Sequence, residues 1–143
     1  MVSNVRVLIV DDHDLFLKTI DALLAGEPRI EVVGEARDGV EAVQLAAALG
    51  PDVVLMDDDM PRLGGIAATR RLTDLGLRAR VIILAANEDL ETSHAALRAG
   101  ASAFLTKSML ASALVPAILN VAGARDSLTA DGGADVAGRA RVG

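Results

Sequence analysis

The chain has 143 residues, the length of one ordinary domain, and 52% of them are hydrophobic although only two are aromatic. The lack of cysteine excludes a disulfide framework, a thiolate metal site and thiol catalysis, and the net charge of -6 argues against nonspecific nucleic-acid binding. Neither a signal peptide nor a long apolar segment is recognisable, so we expect a cytoplasmic protein with no membrane span.

The first half of the chain alternates between strand and helix patterns. The continuous β-branched run Val5–Val10 predicts a strand covered on both faces, and apolar spacing predicts a helix over Leu15–Ala25. A second, short strand is predicted at Ile30–Gly34. The next helix is predicted over Asp38–Leu49, with Asp38 as its N-cap.

The second half continues the same alternation. It contains three predicted strands, Asp52–Met56, Val81–Leu84 and Ala101–Thr106, and three predicted helices, Gly64–Leu75, Glu88–Ala99 and Met109–Ala122. Pro116 should kink the last helix or break one of its hydrogen bonds. Strand-helix units in succession, joined by right-handed crossovers, predict an α/β fold with a doubly wound, five-stranded parallel sheet.

The composition changes at Gly123, where glycine becomes mixed with Ala, Asp and Arg and apolar periodicity is lost. We therefore expect an ordered domain over residues 1–122 and a flexible tail over 123–143 that is too short to form another domain. The tail shows no pair of helices, so we expect no DNA-binding domain in this chain. The chain would then either stand alone or be the front part of a longer protein.

Residues able to carry chemistry follow three of the predicted strands. Asp11 and Asp12 follow the first strand, Asp57 the third and Lys107 the fifth, whereas the fourth strand ends at Ala85. The carboxyl ends of parallel strands share one edge of the sheet, where such sheets bind ligands. We therefore expect these carboxylates and the amine to face each other.

Converging carboxylates repel one another and call for a counterion. Oxygen ligands alone favour Mg²⁺ over zinc or copper. A carboxylate beside a divalent ion and an ammonium group is suited to accept a phosphoryl group, because both cations neutralise charge on its oxygens. Asp57 is the candidate nucleophile, with Lys107 as the fixed positive charge.

Three stretches carry this pattern: Val7 to His13 (VLIVDDH), Val54 to Pro61 (VLMDDDMP) followed by Gly64-Gly65, and Phe104 to Lys107 (FLTK). Together they resemble the receiver domains of two-component response regulators over residues 5–122. The resemblance implies a flavodoxin-like (β/α)5 fold in which Asp57 accepts the phosphoryl group and Lys107 contacts it. It also implies that Asp11 and Asp12 hold Mg²⁺ with help from the backbone carbonyl of Asp59.

The resemblance extends to partners and output. It implies a histidine kinase as the phosphoryl donor and signalling by protein contact, and it leaves homodimerisation open. No enzymatic activity is expected apart from self-phosphorylation and self-dephosphorylation, and no direct contact with nucleic acid or membrane. Phe104 would be the aromatic switch residue.

Two departures from the family pattern weaken the expected switch. Receivers normally carry Ser or Thr where this chain has Ala85, and a methyl group cannot hydrogen-bond a phosphoryl oxygen or draw the following loop inward. The triple acid Asp57-Asp58-Asp59 also adds negative charge beside the acceptor, which disfavours a phosphoanion unless the metal is held tightly.

Two alternatives stay open. The first is a phosphorylation-independent pseudo-receiver that acts by constitutive or ligand-gated contact, favoured by Ala85 and the triple acid. The second is a haloacid-dehalogenase-like phosphatase with Asp57 as nucleophile and Asp59 as general acid. That family places its metal-binding acids downstream of the nucleophile, whereas Asp11 and Asp12 lie upstream, and no cap domain is available.

Overall fold

A computed structural model of the chain describes residues 4–130, with side chains described to residue 123. Its centre is one sheet of five parallel strands in the order β2-β1-β3-β4-β5. The strands are β1 (Val5–Val10), β2 (Ile30–Ala36), β3 (Val53–Asp57), β4 (Arg80–Ala85) and β5 (Ala103–Thr106). The prediction of a doubly wound, five-stranded parallel sheet is confirmed.

Five helices cover the two faces of this sheet. They are α1 (Asp14–Ala25), α2 (Gly39–Leu49), α3 (Gly65–Asp74), α4 (Leu90–Ala99) and α5 (Leu110–Ala130), and a short 3-10 helix, Lys107–Met109, precedes the last. Buried side chains of α1 and α5 form the core on one face, and those of α2, α3 and α4 form the core on the other. Strand β3 is buried throughout because it lies between both layers. None of the described helices is long and apolar enough to cross a membrane.

Local signals in the sequence explain where several helices begin and end. The side chain of Asp38 accepts a hydrogen bond from the backbone N–H of Glu41 at 2.8 Å, which confirms the predicted N-cap of α2. Gly100 ends α4 in the left-handed region at φ 113°, where a side chain would also run into Thr73. Asp38 therefore fixes where α2 begins, and Gly100 fixes where α4 ends before the chain enters β5.

Strands β3 and β4 differ from their predicted bounds by one residue at each end, and β2 and β5 differ by two residues at one end. Strand β2 continues past Gly34 to Ala36, because the register shifts by one residue before Gly34 and pairing with β1 resumes from Gly34 to Ala36. Strand β5 begins at Ala103 rather than Ala101, because the N–H of Ala101 donates to a carbonyl of α4 and belongs to the turn.

The last helix is longer than predicted. Helix α5 contains Pro116, as expected, but it runs to Ala130, so the predicted helix end at Ala122 is wrong, whereas the division into a domain and a tail stays a prediction. Gly123 costs a helix only about 1 kcal/mol relative to alanine, and no proline follows it to stop the helix. The rest of the predicted tail, residues 131–143, lies outside the described residues.

Candidate functional site

Three charged side chains meet at the carboxyl edge of the sheet. Asp11 follows β1, Asp57 ends β3, and Lys107 follows β5. The Lys107 Nζ atom lies 3.0 Å from Asp57 Oδ1 and 3.1 Å from Asp11 Oδ2. The convergence predicted from the strand ends is confirmed for these three residues.

The two carboxylates are almost fully removed from solvent. The side chains of Asp11 and Asp57 are 1% and 4% exposed, and that of Lys107 is 23% exposed. Burial raises the pKa of Asp57 to about 6, because it penalises the charged form more than the hydrogen bond from Lys107 favours it, and the Asp11 charge adds to the rise. Without a further cation, the site therefore carries an excess of negative charge.

The pKa of Lys107 is raised, since its hydrogen bonds to Asp57 and Asp11 outweigh the opposing effect of its burial. The ammonium group is thus a permanent positive charge at neutral pH. It sits where the negative charge of an acceptor or its adduct would be concentrated.

The acids after β1 do not cap the first helix. The N-cap of α1 is His13, which makes no side-chain capping bond. Asp11 Oδ1 instead accepts hydrogen bonds from the backbone N–H of His13 at 2.9 Å and from its Nδ1 at 3.1 Å. The half-buried Asp12 has one oxygen, Oδ1, that is buried without a hydrogen bond among the described residues, and His13 Nδ1 lies 3.3 Å from it.

The donor set fits a hard divalent cation. One ligand atom from each of Asp11, Asp12, His13 and Asp57 can be chosen so that all lie within 4.8 Å of one another. Carboxylate oxygens are the ligands that Mg²⁺ prefers, and the buried Asp12 Oδ1, which accepts no hydrogen bond among the described residues, is an acceptor that such an ion would satisfy. The Asp59 side chain is exposed, and the metal-binding role expected for its carbonyl stays a prediction.

The loop after the acceptor is held by backbone contacts. The N–H of Asp58 donates to Leu84 O, and the N–H of Gly65 donates to Asp58 O, both at 3.1 Å. A Cβ atom on Gly65 would overlap the carbonyl oxygen of Asp57, so only glycine fits at the start of α3. Burial and the charge of Asp59 raise the pKa of Asp58, which reflects the crowding of the triple acid.

Of the two proposed switch positions, Ala85 lies on the strand next to that of the acceptor, and Phe104 lies two strands away. Ala85 is buried at the end of β4 and pairs with Thr106 of β5, while Phe104 pairs with Ile83 and packs, half-buried, against the core beneath α2 to α4. The strand partner of Ala85, Thr106, carries a hydroxyl group, and its Oγ1 lies 3.1 Å from Ser108 Oγ. Ala85 offers only a methyl group.

Sequence reasoning missed one contact of the site. The ammonium of Lys107 lies over the ring of Phe16, 4.1 Å from its centroid. Phe16 is one of only two aromatic residues in the chain, and that scarcity was the available signal.

Comparisons with known proteins agree with this geometry. The family model for the response regulator receiver domain matches residues 7–119. The chain belongs to the response regulator receiver family. A relative, the transcriptional regulatory protein DegU of Brevibacillus brevis, is 39% identical over 84% of this chain and 51% of its own length. The receiver domain of NarL from Mycobacterium tuberculosis is 35% identical, with a TM-score of 0.82 over 85% of this chain and 98% of that one.

The receiver spans about half the length, or less, of the curated relatives that it matches. One of them, a protein-glutamate methylesterase/protein-glutamine glutaminase of Myxococcus xanthus, is 44% identical over 73% of this chain but only 30% of its own length. Receiver domains generally bind Mg²⁺ at an acidic pocket of this kind and interact with histidine kinases.

Proposed function

We propose that this receiver accepts a phosphoryl group on Asp57 from a histidine kinase and signals by protein contact. The observation that carries the proposal is the buried cluster in which Lys107 bridges Asp57 and Asp11 at 3.0 and 3.1 Å. With a pKa of about 6, the Asp57 carboxyl is mostly ionised at neutral pH and can act as a nucleophile.

In the transfer, an oxygen of Asp57 forms a bond to phosphorus as the phosphorus–nitrogen bond to the kinase histidine breaks. The histidine nitrogen keeps the electron pair of that bond and takes up a proton. Lys107 would move from the carboxylate to an oxygen of the incoming phosphoryl group, where its charge is needed. Bound by Asp11, Asp12, Asp57 and the Asp59 carbonyl, Mg²⁺ would neutralise charge on the transferred group.

We further propose that phosphorylation changes the conformation only weakly. The methyl group of Ala85 cannot donate a hydrogen bond to a phosphoryl oxygen, so the loop after β4 gains no new contact when Asp57 is loaded. The room that Phe104 would need to rotate is then not opened.

A second candidate function is a pseudo-receiver whose site is structural. Ala85 and the crowded triple acid favour it, because both reduce what phosphorylation would gain. Homodimerisation and a cytoplasmic location fit either candidate and stay predictions. The haloacid-dehalogenase-like hypothesis receives no support from the comparisons, and in the structure it is Lys107 rather than Asp59 that contacts Asp57.

The deciding experiment is intact mass after incubation with a small phosphodonor and Mg²⁺. We expect one added phosphoryl group on the wild-type protein, none on Asp57→Asn, and a much smaller yield when a chelator replaces the metal. The control Asp59→Asn, at an exposed carboxylate, should still be phosphorylated because its proposed ligand is the backbone carbonyl. The absence of a wild-type adduct would overturn phosphorylation and favour the pseudo-receiver.

A further inference from the structure

The aromatic ring beside the site has no part in the function proposed so far. Phe16 lies in the first turn of α1, half-buried, and packs against the core shared by α1 and α5. Its ring face points to the ammonium of Lys107, with Nζ 4.1 Å from the centroid. The ring is thus anchored in the core at one side and contacts the site at the other.

The side chain of Lys107 must be held in one direction, because the strand that it follows is far from the acceptor. It follows β5 at the edge of the sheet, yet its ammonium contacts Asp57 on β3, beyond β4. Two strand spacings amount to about 10 Å, and a lysine side chain has many rotamers. Only one direction of the side chain brings the charge to the acceptor.

The ring of Phe16 contacts the side of the Lys107 ammonium that the two carboxylates do not contact. Lysine has three N–H donors, and two of them reach Asp57 and Asp11. The negative face of an aromatic ring attracts the remaining charge and excludes water from that side. The contact stays available when the ammonium leaves the carboxylate for a phosphoryl oxygen, because the ring is held by the core and not by the acceptor.

We propose that Phe16 is a positioning residue that fixes the Lys107 ammonium at the acceptor through its ring face. Its part in phosphorylation rests on the proposed function, whereas the placement of the ammonium does not. The role requires an aromatic ring and not merely an apolar side chain. Leucine in its place should keep the packing against the core and lose the positioning.

The direct test is the NMR signal of the methylene group next to Nζ in Lys107. A ring face at this distance shifts those protons upfield, so we expect a clear upfield shift in the wild type and in Phe16→Tyr. Phe16→Leu should return the signal to its ordinary position. An unshifted wild-type signal would overturn the proposal, and this arm requires no phosphorylation.

The second test is the rate of adduct formation at Asp57. Phe16→Leu should lower the rate at saturating phosphodonor by about three- to tenfold, the range expected for losing one partly desolvated cation–π contact, with little change in the donor concentration at half-saturation. Phe16→Tyr should restore the rate. Leu23→Ala, at a half-buried position of the same helix, controls for loss of packing and should leave the rate unchanged.

A double-mutant comparison separates positioning from stability. In a Lys107→Met background, Phe16→Leu should slow the reaction no further, because the group that it positions is gone. An equal slowing in both backgrounds would overturn the proposal. A wild-type protein that takes up no phosphoryl group would instead overturn the proposed function, and the NMR signal would still decide whether Phe16 places the ammonium.

Discussion

The acceptor cluster, which is Asp11, Asp57 and Lys107, and the switch region, which is Ala85 and Phe104, differ in what their side chains can do. In the acceptor cluster, Asp11, Asp57 and Lys107 are joined by short ion pairs in a nearly dry site. In the switch region, Ala85 is buried and Phe104 packs half-buried against the core, and both side chains are apolar. The first region can therefore interact with a phosphoryl group through charge, whereas the two side chains of the second cannot.

This difference suggests that accepting a phosphoryl group and responding to it depend on separate residues. Coupling requires a group whose contacts differ between the free and loaded states. Lys107 has such contacts, but they stay inside the acceptor cluster. A methyl group at Ala85 cannot hydrogen-bond a phosphoryl oxygen, so we expect little of the free energy gained on phosphorylation to reach the residues beyond β4.

The largest effect should follow from crowding the acceptor cluster. Gly65→Ala places a Cβ atom into the carbonyl of Asp57, and the backbone on both sides must move. We expect a loss of about 3 kcal/mol in the free energy of unfolding by urea titration, together with loss of the adduct. Gly26→Ala is the matched control, since open space surrounds that position, and it should cost nothing. A tolerated Gly65→Ala would show that the cluster is less tightly built than its contacts indicate.

The next effect concerns the buried charge of Asp57. Its pKa is about 6 in the folded chain and 3.8 as the ordinary value, so the folded state holds an extra proton between these two pH values. The contribution of Asp57 to stability therefore falls as the pH rises through this window and stays low above it.

Asp57→Asn removes the ionisable carboxyl and therefore also the loss of stability that its ionisation causes. In metal-free buffer at pH 7 we expect it to raise the free energy of unfolding by about 2 kcal/mol, with the gain disappearing as the pH falls below about 4. Urea titrations across this range measure it, with Asp59→Asn as the control that should show no comparable gain. A variant less stable than the wild type at pH 7 would mean that the ion pair with Lys107 outweighs burial.

The smallest change tests the switch region. Ala85→Ser adds one oxygen at a buried position and should cost under about 1 kcal/mol if its hydroxyl finds a backbone partner. We expect it to enlarge the amide shifts of α4 and Phe104 when the acceptor is loaded. Ala86→Ser, at the exposed neighbouring position, should leave them as in the wild type. Equal responses from both variants would remove Ala85 from the explanation.

The sequence predicts the strand ends well, because β-branched runs that stop at a charge mark where a parallel strand leaves the sheet. That rule is sufficient to bring Asp57 and Lys107 together. It does not show that Asp11 rather than Asp12 contacts the lysine, since the direction of each side chain is decided by the turn into α1 and by the backbone N–H of His13.

Other features depend on contacts that no local pattern encodes. Strand β2 continues past Gly34 after a shift in its register with β1, and a side chain at Gly34 would run into a distant residue, Leu49. The contact between Phe16 and Lys107 joins residues 91 positions apart, on elements that meet only after the sheet has formed. Composition pointed to Phe104 as a notable aromatic, but only the packing of α1 reveals the place of Phe16.

We expect Asp57 to accept a phosphoryl group while Phe104 and α4 respond only weakly. The most direct measurement is a pair of amide NMR spectra of the wild-type receiver in Mg²⁺, before and after loading Asp57 with a small phosphodonor. We expect large shifts at residues around Asp57 and Lys107 and small ones at Phe104 and along α4. Large shifts at Phe104 and α4 would contradict the claim and show that this receiver switches without a hydroxyl at Ala85.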